Sequence, residues 1–307
     1  MRIVQISDTH LSPREPRFDA NWQAALAFLK ELQPDLVIHT GDLALDGADE
    51  ARGEAELAHG AAAMAGLGQG ALILPGNHDV GHFPGMAQPV DAERLERWTR
   101  LVGPDRFCVD RGGWRLVGLN ALLFGQAALG GEEAACAAEA AQWLFLEAAL
   151  DGRDGRPVAI FSHKPVFVER MDEGETGYWG LRPAERARFM ALCEAHDVRL
   201  HASGHLHSPW IGRHAGLAIT WAPSTAFVLG EGEQLGASGR SLGFVLHELT
   251  PDGTVDSRLL AVPGLEEYDF SRIGAEIYPA DVGGVDAGTL GEAGPLSEAD
   301  RPKENAA

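Results

Sequence analysis

The chain has 307 residues, of which 45% are hydrophobic, with a formal net charge of −20 at pH 7 and three cysteines. That length suits one large domain better than two, and the hydrophobic share excludes global disorder. Every long apolar stretch is broken by charges or glycines before the roughly twenty residues of a membrane span, and so acidic a chain offers no basic patch for a nucleic acid.

In chain order, a strand-like run over residues 3–7 begins almost at Met1, with no apolar signal-peptide core before it. A helix over 21–32 follows, then a strand over 36–40, a helix over 48–65 and a strand over 71–74. The next elements are a helix over 92–101, a strand over 114–119, a helix over 133–150 and a strand over 158–161. The spacing then predicts a helix over 183–195, with Pro183 at a first helical position where its missing N–H costs nothing. Strands over 199–202, 217–221 and 243–248 complete the series. Strand and helix in alternation predict an α/β layered fold with a parallel or mixed sheet.

The rhythm fades after Leu260, and from about residue 281 the chain is rich in Gly, Ala, Asp, Glu and Pro. This places one folded domain over 1–265 and an extension over 266–307, expected to be mobile from about 281. The 166–181 stretch, with Met171, Tyr178 and Trp179 among charges, fits either a flap over a site or a packed surface loop. Cys108, Cys136 and Cys193 lie far apart with no metal-knuckle spacing. They are expected to be reduced, small, buried hydrophobes, which places the protein in the cytoplasm.

Metal-binding side chains fall at the ends of five of these strands. Asp8 and His10 follow the first, Asp42 the second, and Asn77, His78 and Asp79 the third. His163 follows the strand over 158–161, and His205 and His207 follow the one over 199–202. Ligand sites of open α/β sheets form at the carboxyl ends of strands, so the five turns can converge. Each piece alone is ordinary turn chemistry; the five together, in order, are not. Carboxylate, imidazole and one amide oxygen suit Mn, Fe or Zn, and a carboxylate can bridge two such ions.

The set Asp8-x-His10, Gly41-Asp42, Gly76-Asn77-His78-Asp79, His163 and Gly204-His205-x-His207 resembles the calcineurin-like metallophosphoesterase superfamily over roughly residues 2–260. Ser7-Asp8-Thr9-His10-Leu11 and Ser162-His163-Lys164-Pro165 look closest to its bacterial branch related to cyclic-nucleotide phosphodiesterases and glycerophosphodiesterases. The resemblance implies a four-layer sandwich of two mixed β-sheets flanked by helices. It implies one divalent metal ion held by Asp8, His10, Asp42 and His207, and a second held by Asp42, Asn77, His163 and His205. His78 would face the substrate, and Asp79 would orient the His78 ring.

The chemistry expected of such a pair is hydrolysis of a small phosphodiester. Two ions lower the pKa of a shared water and so supply hydroxide at neutral pH. They also neutralise charge that develops on the phosphoryl oxygens. A protonated His78 can stabilise that charge or protonate the leaving alkoxide. No protein nucleophile is required, and no Gly-x-Ser-x-Gly elbow is present. The motifs fit a monoester, nucleotide or lipid substrate as well, because the metal core contacts only the phosphoryl group. A binding scaffold without activity would be expected to have lost ligands or His78, and this chain keeps all of them. A homo-oligomer is left open. The other histidines, among them His39, His82, His201 and His247, are read as structural or exposed, and Phe227 with Trp210 and Trp221 as core by default.

Overall fold

In the computed structural model, residues 1–278 are described, apart from Gln69, Gln234, Gly236 and Ala237. The strands are β1 (Arg2–Ile6), β2 (Leu36–His39), β3 (Leu72–Ile73), β4 (Phe107–Arg111), β5 (Trp114–Leu119), β6 (Val158–Ser162) and β7 (Leu200–Ser203). They continue as β8 (Trp210–His214), β9 (Leu217–Trp221), β10 (Phe227–Val228), β11 (Phe244–Leu249), β12 (Val255–Leu260) and β13 (Tyr268–Asp269). The helices are α1 (Pro16–Leu32), α2 (Gly53–Met64), α3 (Asn77–Val80), α4 (Ala92–Leu101), α5 (Gln126–Leu129), α6 (Glu133–Asp151), α7 (Pro183–Ala195) and α8 (Phe270–Ile277).

The strands read from the sequence are apolar on both faces, and each face has its own partner. One sheet runs β12-β11-β1-β2-β3 and the other β4-β5-β6-β7-β9-β8. Ile3, Ile38, Trp114, Leu116, Phe161 and Ala202 meet in the core between the sheets. Their neighbours in sequence point the other way. Val4 and Ile6 pack under Trp22, Leu26 and Leu57 of α1 and α2. Val117, Ile160 and Ile219 pack under Leu146, Phe189 and Cys193 of α6 and α7. Period-two alternation between two apolar layers therefore yields the expected four-layer sandwich. In each sheet three or four strands are parallel: β1-β2-β3 in one and β5-β6-β7-β9 in the other. Their carboxyl ends lie at one rim.

The elements missed in the sequence are edges and short pieces. β4, β8 and β12 carry Asp110, Arg111, Arg213, His214, Asp256 and Arg258 and are largely exposed, as suits sheet edges that must not pair further. Helix α2 starts at Gly53 and not at 48, because the Asp49 side chain accepts the Ala51 and Arg52 backbone N–H groups and holds a turn there.

Past Leu260 the chain keeps regular structure. β13 pairs with β10, and Asp269 caps α8 at Ser271 N. Ile273, Ile277 and Tyr278 bury against Phe18, Leu45, Ala226 and Phe227. The tail expected from about 281 lies outside the described residues. Of the three cysteines, only Cys193 is buried; Cys136 is partly so and Cys108 is exposed on the edge strand β4, which corrects the expectation for that residue. No helix among the described residues is long and apolar enough to cross a membrane.

His201 and His247 are buried and bond Ser162 Oγ and Gln5 Oε1. Burial pulls both imidazoles down to about 3. An unfolded histidine titrates near 6.5, so the unfolded chain binds more protons below that pH. Their contribution to stability is complete above about 6.5 and is lost as the pH falls towards 3. Taking the protein from pH 7 to pH 5 should therefore cost about 2 kcal/mol per histidine. Urea unfolding of the wild type and His201→Gln at the two pH values checks this; an equal pH dependence in both would contradict it.

Candidate dinuclear metal site

The five turns singled out in the sequence meet at the rim formed by the carboxyl ends of the parallel strands. Asp8, His10, Asp42, Asn77, His78, Asp79, His163, His205 and His207 are all buried, none more than 6% exposed. Nine described non-glycine residues have positive φ, and Asp8, His10, Asp42, His205 and His207 are five of them, at 45° to 71°. A left-handed backbone costs such residues roughly 1 kcal/mol each. Strain collected at one place indicates that side-chain direction there overrides local preference.

The side chains form two groups. Asp8, His10, Asp42 and His207 present ligand atoms that all lie within 4.8 Å of one another, and so do Asp42, His163 and His205. Asp42 belongs to both. In the first group His10 Nε2 and His207 Nε2 are 3.1 Å apart, with Asp8 Oδ1 3.3 Å from His207 Nε2. In the second, Asp42 Oδ2 is 3.3 Å from His163 Nε2, and Asn77 Oδ1 is 3.0 Å from the same nitrogen. Asp8 Oδ1 and His10 Nδ1 are buried without a hydrogen-bond partner among the described residues. Imidazole nitrogens and carboxylate oxygens that converge this closely, one of the oxygens unpartnered, form a donor set that fits divalent cations, with no thiolate among them.

The far side of each ring is anchored. His163 Nδ1 donates to Thr40 O (2.8 Å), His207 Nδ1 to Phe227 O (3.1 Å) and His205 Nε2 to Tyr178 O (3.1 Å). Such anchoring fixes tautomer and direction and leaves the other nitrogen facing the cluster. Asp42 is anchored too: its Oδ1 accepts the His78 backbone N–H at the start of α3 (2.8 Å), which frees Oδ2 for the clusters. Two glycines permit the approach. A Cβ at Gly76 would run into the Asp42 carboxylate and backbone, and one at Gly204 into Ser7 Oγ and Asp8 Oδ2.

Electrostatics follow from this crowding. Burial opposes charge on Asp42, but His163, His78 and His10 outweigh it and hold the carboxyl well below its usual range. Asp8 is likewise raised by burial and brought below its ordinary value by His207 and His163. Burial keeps His10 and His205 well below the ordinary imidazole value, so their lone pairs are free to ligate. His163 differs: burial lowers it, yet Asp42 and Asp8 lift it to about 9. A cation held by this group would take the place of that proton, so its binding would be accompanied by proton release.

One expected role is corrected. Asp79 does not hold the His78 ring. Its oxygens accept the backbone N–H groups of Leu43 (3.1 Å), Ala44 (2.9 Å) and Gly76 (2.8 Å), tying the Asp42 turn to α3. The bond to Gly76 N is the return half of a capping box. Burial, followed by the charge of Asp42, pushes the Asp79 carboxyl up to about 7. The His78 ring donates instead from Nδ1 to Leu45 O (3.0 Å), with Tyr278 Oη 3.1 Å from the same nitrogen.

The sequence also left Tyr178 undecided, as part of a flap or a surface loop. The structure places it on the site. Asn77 Nδ2 donates to Tyr178 Oη (2.6 Å), which turns Asn77 Oδ1 towards His163, and the Tyr178 carbonyl holds His205. The ring stacks on His82, 4.5 Å between centroids. Tyr178→Phe should therefore weaken the Asn77/His205 cation by about 10-fold, the usual scale for losing an anchoring partner, and leave the Asp8/His10 cation untouched. Two-site calorimetric titration checks this; equal loss at both sites would contradict it.

A cavity of about 30 Å³ opens onto the clusters, lined by Asp42, His78, His205 and His207 below and by Tyr178, Trp179, Phe227, Leu229, Phe270 and Tyr278 above. Phe227, by default a core residue in the sequence, is a wall of the site. Trp210 and Trp221 do pack in the core, with Phe167. His39 braces Thr9 Oγ1 and Gly41 N beneath the first two turns. Lys164, beside His163, sits over the Phe83 ring at 4.4 Å and does not line the cavity.

The family model described as calcineurin-like phosphoesterase matches residues 1–209, the stretch that supplies every residue of both clusters. The chain belongs to this family. It is a phosphoesterase of the metal-dependent kind by family, and both His/Asp clusters lie within the matched stretch. A protein of Synechococcus named as a probable cyclic nucleotide phosphodiesterase is 28% identical over 282 residues, covering 84% of this chain and 91% of that one. A human serine/threonine-protein phosphatase is 25% identical over 160 residues, about half of each chain (52% and 48%). Among solved structures, the yellow lupin purple acid phosphatase superposes with a TM-score of 0.61 at 14% identity, over 88% of this chain and 52% of that one. A dimetal phosphatase of Danio rerio does so at 0.55 and 14%, over 85% and 99%. These two likenesses show the fold.

Proposed function

We propose that the protein is a dinuclear-metal phosphodiesterase acting on a small diester such as a cyclic nucleotide or a glycerophosphodiester. The observation that carries the reading is the pair of buried carboxylate–imidazole groups sharing Asp42. Asp8, His10, Asp42 and His207 would hold one divalent cation, and Asp42, Asn77, His163 and His205 the other; Mn, Fe and Zn all suit these donors. Such a pair supplies a water acidified towards neutral pH and positive charge for the phosphoryl oxygens. His78 lines the cavity with Nε2 free of hydrogen-bond partners, placed to hold a proton for the departing oxygen. The aromatic walls exclude water from the reacting group and favour a flat or apolar leaving group.

Diester over monoester is supported by charge. No Lys or Arg lines the cavity among the described residues. A monoester dianion would bring a second negative charge beside Asp8 and Asp42 without a guanidinium to meet it, while a diester brings one. The Synechococcus relative, similar over most of both chains, supports the same choice. The human relative favours a phosphoprotein monoester instead, but it matches over only about half of each chain.

The test is a panel of bis(p-nitrophenyl) phosphate, p-nitrophenyl phosphate, 2′,3′- and 3′,5′-cyclic nucleotides and a glycerophosphodiester, each with Mn²⁺, Fe²⁺ and Zn²⁺. The reading predicts kcat/KM for diesters at least about tenfold above the monoester, the scale of one unpaired charge. A faster monoester would overturn the diester assignment; no turnover with any metal would overturn the enzyme.

A further inference from the structure

We infer that Tyr278, carried in from the C-terminal segment just past α8, is a positioning residue for His78. It supports a site whose metal-binding residues, and His78, all lie between Asp8 and His207. The inference rests on the reading of His78 as the group that faces the leaving oxygen.

Three atoms form a closed triangle at Nδ1 of His78. His78 Nδ1 is 3.0 Å from Leu45 O, Tyr278 Oη is 3.2 Å from the same carbonyl, and Tyr278 Oη is 3.1 Å from Nδ1. A carbonyl only accepts, so the phenol donates its hydrogen to Leu45 O, and the Nδ1 hydrogen is shared between Leu45 O and the phenol oxygen. The reverse arrangement, a bare Nδ1 accepting from the phenol, would set two lone pairs against each other at 3.0 Å. The triangle therefore fixes the proton on Nδ1 and turns Nε2 to the cavity. The two rings lie 5.5 Å apart at 31°, while His10 meets the other side of the His78 ring edge-on at 4.9 Å. Between them the ring has one orientation.

Tyr278 is itself held by the fold. It is 6% exposed, and it packs with Ile273 and Ile277 against Phe18, Leu45 and Phe227. The α8 segment is anchored at its start by Asp269, which accepts Ser271 N and pairs with Arg240. With Phe270 also on the cavity wall, the segment supplies two of the ten lining residues. Asp79, for which the family resemblance implied this role, is occupied with three backbone N–H groups, so the place beside Nδ1 falls to Tyr278.

The experiment compares wild type, His78→Gln, Tyr278→Phe and the double variant of the full chain with Mn²⁺ on two diesters. Bis(p-nitrophenyl) phosphate has a leaving group that needs no proton; 2′,3′-cyclic AMP expels an alkoxide that does. Tyr278→Phe keeps the packing and removes one oxygen, and an unchanged melting temperature verifies the fold. The expected result is a loss in kcat of about tenfold on the cyclic nucleotide, the scale of one hydrogen bond, with KM unchanged and little loss on the nitrophenyl ester. The double variant should be no slower than His78→Gln alone. Equal losses on both substrates, or losses that multiply in the double variant, would overturn the positioning role while leaving His78 in place. A His78→Gln enzyme as fast as wild type on the cyclic nucleotide would overturn the reading of His78 itself, and this inference with it.

Discussion

Asp42→Asn should lower kcat by at least about 1000-fold on any phosphodiester substrate. Losing one group that stabilises transition-state charge typically costs 100- to 1000-fold, and Asp42 is the single residue common to both ligand groups. Its Oδ2 is 3.3 Å from His163 Nε2 and 3.9 Å from His10 Nε2. An amide there presents either a neutral oxygen or an N–H₂ to each cation. The change also alters the bond from His78 N to Oδ1, so the substrate-facing histidine loses its footing in the same step. Steady-state kinetics with metal content measured on the same samples checks the expectation. Loss of less than about tenfold with two metals still bound would contradict the bridging role.

Chelation should lower the melting temperature by roughly 10 °C. A ligand at a thousand times its dissociation constant stabilises the folded state by about 4 kcal/mol, and a chain of this size shifts by about 2–4 °C per kcal/mol. The physical basis is on the rim: Asp8 and Asp42 are buried carboxylates, and Asp8 Oδ1 has no hydrogen-bond partner among the described residues. Without a cation that charge is met only by the imidazoles and by the backbone N–H groups of His78 and His205. Differential scanning calorimetry before and after exhaustive chelation, with Mn²⁺ added back, tests this. A shift below about 2 °C, or one that added metal does not reverse, would show that the clusters are not cation sites in solution.

What the sequence made legible is the part governed by periodicity and turn chemistry. β1, β2, β5, β6, β7, β9 and β11 are apolar on both faces because each is sandwiched, and the ends of β1, β2, β6 and β7, with that of β3, carry the ligand motifs. The edge strands β4, β8 and β12 were not legible, since charges such as Asp110, Arg213 and Arg258 hide the strand pattern where one side meets water. The second layer of the site was less legible still. Tyr178 lies 101 residues from the Asn77 it holds, and Tyr278 lies 200 from His78. Nothing in the local sequence of either tyrosine announces that distance being closed. For Tyr278 one signal was available just before it: Phe270, Ile273 and Ile277 share one face at helical spacing within a segment read as losing its rhythm. The role given to Asp79 failed for a related reason. The family resemblance implied a contact with the His78 ring, but on a helical turn adjacent side chains diverge, and its carboxylate caps the turn instead.

The central claim is that two cations sit on either side of Asp42. Crystals grown with Mn²⁺ and measured at the manganese absorption edge test it most directly. Two anomalous peaks are expected, one among Asp8, His10 and His207 and one among Asn77, His163 and His205, with the Asp42 carboxylate between them. A single peak, or peaks away from Asp42, would contradict it.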